Sequence, residues 1–241
     1  MTLVWRPDYN GTPGKVILAK PSGASWVITG AQPFPAVIGE LFGGGYFAGY
    51  ISHTADGNPT HALIVAPRGG VEPGATGGGY PLTTNLAWKT TSTTTADTTS
   101  PFDGAANTTA MVTAGIANHP AAEFCVNLSI GGYTDWYLPA RYELDIAYFN
   151  LKPSTAANST IWGTNIYAIP QRNSNWSAAY PTQTNVTAFN TSAETFVLNI
   201  HWSSTNSDSL NAWALNFGNG DQSSRSRTSE RSVRAFRRIA L

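Results

Sequence analysis

Charge is scarce in this chain. Only 12% of its 241 residues are Asp, Glu, Lys or Arg, and 14 acidic side chains are balanced by 14 basic ones. A neutral protein lacks long-range attraction for nucleic-acid phosphates or anionic lipid, so neither partner is expected. Cysteine is scarcer still, since Cys125 stands alone and excludes both an intrachain disulfide and a cysteine-built zinc site. No stretch approaches the roughly 20 apolar residues of a bilayer span, so membrane insertion is not expected. The first ten residues hold no basic segment followed by an apolar run, which argues against an ordinary secretory signal. The chain does have 41% apolar residues and 12% aromatics, enough to build a core and too many for a disordered chain. Its wet surface must therefore come from Ser, Thr, Asn and Gly.

Residues 1–38 carry two β-rich runs, 15–19 and 25–29, bounded by Pro13-Gly14, Pro21 and Gly30. Two short strands make too small a core to stand alone, so this part reads as an attachment or oligomerisation segment. From residue 39 the texture changes. Runs 43–51 and 61–66, joined by Asp56-Gly57-Asn58-Pro59, give a hairpin signal. Nine of the eleven residues from Thr90 to Ser100 are Ser or Thr with no apolar period, the pattern of an exposed loop. One helix is expected over roughly 108–128, with Met111, Ile116, Ala122, Cys125 and Val126 inward. A second is expected from Pro139 through Phe149, with Leu144, Ala147 and Tyr148 on one face. Short strands follow, and the class expected is α+β.

The block from Gly132 to Leu144, Gly-Tyr-Thr-Asp-Trp-Tyr-Leu-Pro-Ala-Arg-Tyr-Glu-Leu, resembles the signature of the Lcl C-terminal (DUF1566) family. Three later blocks resemble that family in order: His201-Trp202-Ser203-Ser204-Thr205, the run from Ala212-Trp213 to Gly220, and Val233-Arg234-Ala235-Phe236-Arg237. Gly44-Gly45-Tyr46-Phe47, the run 62–66 and Ala121-Ala122 with Cys125 fit more loosely. The resemblance covers about residues 39–238. It implies a C-type-lectin-like fold, two helices on small antiparallel sheets, for a domain at 39–241. It also implies the setting in which such domains recur: bacteriophage tail-fibre tips, bacterial surface adhesins, and variable proteins of diversity-generating retroelements.

Most motif residues have structural readings. Asp135 suits backbone N–H groups at the turn before the Pro139 helix. Trp136 and Leu138 are expected to pack inward, and Glu143 to serve as a first-turn acid favoured by the helix dipole. Trp202 and Trp213 read as core aromatics and Cys125 as a small buried hydrophobe. No Gly-x-Ser-x-Gly elbow or phosphate loop occurs, and His53, His61, His119 and His201 lack metal-ligand spacing. The calcium-ligating triplets of true C-type lectins are absent, so no catalytic set, metal or cofactor is expected.

Two polar stretches, 206–211 and 219–229, flank Trp213 and are rich in residues that adaptable binding loops use. The expected ligand residues are Asn206, Asp208, Asn211, Asn219, Asp221, Ser223, Arg225 and Arg227. Six of ten arginines lie between Arg225 and Arg238. Arg225, Arg227 and Arg231 are expected to suit acidic sugars or phosphate, and Arg234, Arg237 and Arg238 a structural or oligomer-facing role. The function expected is that of a non-enzymatic receptor-binding protein of a phage tail, trimeric, binding a host surface molecule and joined to other tail proteins through residues 1–38. A structural virion part and a bacterial or retroelement-diversified adhesin are the alternatives.

Overall fold

The computed structural model describes residues 17–19, 25–27, 34–68, 85–190 and 194–241. The chain divides into two units, Met1–Val37 and Ile38–Leu241. In the first, β1 (Ile17–Ala19) and β2 (Ser25–Val27) pair antiparallel. The rest of the expected runs there, residues 15, 16, 28 and 29, lies outside the described residues.

The second unit opens with β3 (Leu41–Phe42), β4 (Gly45–Ile51) and β5 (His61–Val65), then β6 (Asn85–Ala87). Helices α1 (Gly104–Thr113), α2 (Pro120–Val126) and α3 (Arg141–Leu151) follow, then β7 (Ala168–Ile169) and the single turn α4 (Thr187–Asn190). The chain closes with β8 (Ile200–Asn206), β9 (Asn211–Asn216), β10 (Gln222–Ser226), β11 (Glu230–Ser232) and β12 (Phe236–Ala240). One sheet runs β12-β5-β4-β3 with β7 paired to β4, so the last strand lies against the opening hairpin. The other runs β10-β9-β8-β11-β6, antiparallel except where β11 meets β8. The architecture is α+β.

Two apolar clusters form because the hairpin is covered on both faces. Period-two alternation sends Tyr46 and Ala48 to one side, where they meet Leu144, Ala147 and Tyr148 of α3, Leu215 of β9 and Phe217 just after it. Phe47 points the other way, into Trp88, Met111, Cys125, Trp136, Leu138 and Trp202. Trp136, Leu138, Trp202 and Cys125 are buried as the sequence suggests.

The single helix expected over 108–128 is two. Asp103 caps α1 through the Ala106 N–H, and the helix stops before Gly115, whose φ of 106° belongs to the left-handed side that favours glycine. A short 3-10 turn, Ile116–Asn118, then leads to Pro120 at the first position of α2. Buried His119 ties the break together: one ring nitrogen lies 2.9 Å from the Gly115 carbonyl and the other 2.8 Å from Thr95 Oγ1. α3 likewise starts two residues later than expected. The Pro139 carbonyl is committed to the Ser204 N–H at 2.7 Å, which places Pro139 outside the helix and ties its start to β8.

Candidate ligand-binding face

The β9–β10 hairpin meets the first turn of α3. Cross-strand partners share a face, so Leu215 and Gln222 lie together, and so do Trp213 and Ser224. Leu215 and Gln222 are buried, whereas Trp213 lies half-buried beyond the end of α3. Arg141, the first residue of α3, places its guanidinium carbon 3.8 Å from the Trp213 ring centroid, 5.0 Å from that of Trp162 and 5.5 Å from that of Tyr142. Trp162 meets Trp213 edge to face at 6.0 Å. Cation–ring contacts of this kind pre-orient a guanidinium without neutralising it.

A buried network holds that arginine. Arg141 Nε donates to Gln222 Oε1 at 2.6 Å, and Gln222 Nε2 donates to Asp145 Oδ2 at 3.1 Å. Asp145, fully buried on α3, also accepts from Asn165 Nδ2 at 2.7 Å and pairs with Arg172. The Arg172 charge balances Asp145, so the network carries no spare charge beneath Arg141. At the rim, Trp162 Nε1 donates to Asp221 Oδ1 at 3.0 Å. Three half-buried aromatic rings, a fixed cation and a fixed carboxylate therefore share one surface.

The structure separates the eight residues expected to bind. Asn206, Asp208 and Asn211 lie where β8 turns into β9, and Asn219 and Asp221 lie at the other end of β9, about 16 Å away at 3.3 Å per residue. Asp208 closes its own turn, accepting from the Leu210 and Asn211 N–H groups at 2.7 and 2.9 Å and from Asn211 Nδ2. These bonds, with that from the Asn211 side chain largest, lower its pKa. Asn219 accepts the Asp221 N–H. Ser223 and Arg225 pair with Ala214 and Ala212 and so lie on the opposite face from Trp213.

Arg227 is not a ligand-facing residue. It is fully buried and donates to the carbonyls of Thr93, Ser209 and Asp208 and to Asn206 Oδ1, pinning three loops together. Lys89, also buried, binds the same Thr-rich segment through the Thr93 and Thr94 carbonyls and Thr95 Oγ1. The segment is thus an outward-facing loop at Thr90–Thr94 with an internally bonded base at Thr95 and Thr98.

Other expectations are also corrected. Asp135 is exposed and pairs with Arg237; Trp213 belongs to the face and not to the core. The alternation with core-facing Ala212 and Ala214 already carries that signal, because period two puts the residue between them on the other side. Arg141, Tyr142 and Trp162 were not expected; they become visible only when the α3 start and the loop after α3 are folded onto β9. Glu143 does occupy the first turn, fully buried, accepting from the Ala140 N–H and the Tyr137 hydroxyl, both at 2.7 Å. Burial pushes its pKa up to about 7 in spite of those two donors. Among the described residues no His, Cys, Asp and Glu groups cluster as metal ligands.

The chain belongs to the Lcl C-terminal domain family, whose model matches residues 81–237. That span holds α1 to α3, the whole second sheet and every member of the Arg141 network. No curated protein matches the chain in sequence.

Proposed function

We propose that the chain is a non-enzymatic attachment protein, a bacteriophage tail-fibre or tail-tip component. In this reading a C-type-lectin-like domain docks on a host surface molecule through the Arg141–Trp213–Trp162 face. The observation that carries it is Arg141 held over Trp213 by a buried Asp145–Gln222 arm, a pre-organised cation on an aromatic platform that a folded core does not need. Two further features favour the lectin-like arrangement: α3 packs across both sheets, and the final strand pairs with the opening hairpin. Binding is favoured over glycan cleavage because the carboxylates near the motif are committed. Glu143 and Asp145 are buried in internal bonds, and Asp135 is paired with Arg237. Residues 1–38 would join the domain to other tail proteins, with three copies per fibre, on a virion assembled in the host cytoplasm.

The test is sedimentation of the purified chain with intact bacteria of candidate host strains. The expected result is saturable binding, lost in Arg141→Ala and Trp213→Ala variants that retain the native unfolding temperature, with no sugar released. Binding that survives both substitutions overturns the assignment. Absence of binding to every strain, with the chain located at the collar or baseplate of a virion, supports a structural part instead.

A further inference from the structure

We propose that the Arg141–Trp162–Trp213 face takes an uncharged saccharide ring, stacked on the indole of Trp162 between Arg141 and Asp221. The inference rests on the attachment reading above and names its ligand class. Arg141 Nε is taken by Gln222, and among the described residues no acceptor is bonded to its two Nη groups. Asp221 Oδ1 is taken by the Trp162 indole N–H, and Oδ2 carries no hydrogen bond among the described residues. A free donor fork and a free acceptor thus touch the same half-buried indole, one through the 5.0 Å ring contact and the other through the 3.0 Å hydrogen bond.

A sugar hydroxyl is both donor and acceptor, so neighbouring hydroxyls of one ring can accept from Arg141 and donate to Asp221. The apolar C–H face of such a ring matches an indole surface. A carboxylate or sulfate accepts only and is repelled by Asp221. The remaining charges do not favour an anion either: Arg172 is spent on Asp145, and Arg225 lies on the other side of the β9–β10 hairpin. The site's own charges cancel, and the six arginines near the C-terminus do not decide its ligand.

The test is isothermal titration calorimetry of the full chain against two sets of probes. The neutral set is the methyl glycosides and linear oligosaccharides of glucose, galactose, mannose and N-acetylglucosamine; the anionic set is oligogalacturonate and dextran sulfate. At least one neutral probe should bind saturably, with an affinity nearly independent of salt. Trp162→Ala should weaken it about tenfold or more, Trp162→Phe should retain most of it, and Arg225→Ala should leave it unchanged. Asp221→Asn should weaken the neutral probe and strengthen the anionic ones. Binding of the polyanions alone, falling steeply with salt, overturns the proposal, as does neutral binding that survives Trp162→Ala. If no saccharide binds while cell binding still depends on Arg141 and Trp213, the ligand class is wrong and the attachment reading stands.

Discussion

Arg141 sits 3.8 Å over the ring of Trp213 and is held there by an amide, Gln222, instead of a carboxylate. The difference matters because an amide orients the guanidinium and leaves its charge available, whereas a carboxylate partner would consume it.

Gln222→Leu should therefore separate position from presence. The substitution keeps the volume but removes the acceptor for Arg141 Nε and one donor to buried Asp145. A buried carboxylate oxygen losing a partner costs at least about 1–3 kcal/mol. Chemical denaturation should show that loss, and cell binding should fall further than stability alone explains, since Arg141 stays in the chain but loses its anchor. Binding that matches wild type in the surviving folded fraction would show that the arm does not position the cation.

Arg227 supports a second prediction, at the opposite end of β9. Its guanidinium bonds three carbonyls and an amide oxygen, and the residue is fully buried. Arg227→Ala orphans these acceptors, and Arg227→Lys places a compact ammonium where a planar fork is needed. Each change should cost at least about 3 kcal/mol in denaturant unfolding. Hydrogen exchange should quicken first in the loops at 90–95 and 206–211. A neutral outcome for Arg227→Lys would mean that charge alone, and not the fork, holds the loops.

These two arginines also show how far the sequence could be read. Hairpin β4–β5, the inward face of α3 and the α+β class followed from period and turn residues, which are local. The signature block was equally legible because it is contiguous. Arg227 reads in sequence as a loop cation, since three of its four acceptors are backbone carbonyls, 18, 19 and 134 residues away, and backbone carbonyls leave no mark in sequence. The Arg141–Trp213–Trp162 face is not legible in the sequence for a related reason. Arg141, Trp162 and Trp213 come from a helix start, a loop and a strand, and only tertiary contact distinguishes an Arg over a Trp from two unrelated residues.

Close approach makes a third prediction at Gly104, the first residue of α1. A methyl group there would lie 2.4 Å from Glu143 Oε2, 2.5 Å from the Ala140 nitrogen and 2.7 Å from the Leu138 carbonyl oxygen. Two of those atoms are backbone, so the α1 and α3 starts must separate to admit it. Gly104→Ala, normally favoured in a helix, should instead lower stability by about 2 kcal/mol or more. A rise in unfolding temperature would contradict the packing described between the two helix starts.

Two buried groups give opposite pH slopes. Burial lowers the His201 pKa to about 3, helped by Arg234 and Arg68 and opposed by its bond to the Asn199 carbonyl. Its neutral form is favoured in the fold, so the stability it contributes is present above about 6.5 and is lost as pH falls toward 3. His201→Phe, placed against Phe196 and Phe217, should flatten that acid limb.

Glu143 behaves the other way. Its folded pKa is raised to about 7, mainly by burial and against the pull of the Ala140 N–H, the Tyr137 hydroxyl and Arg238, while Asp103 adds to the rise. A raised carboxyl pKa stabilises the fold fully below its unfolded value near 4.5, and that contribution disappears as pH climbs through 7. Glu143→Gln is permanently neutral, so its stability relative to wild type should improve by roughly 2–4 kcal/mol between pH 4.5 and 8. Paired denaturant titrations across that range measure the difference directly. A gap that stays constant with pH would mean that Glu143 is ionised throughout, held by its two donors and the two helix starts that face it.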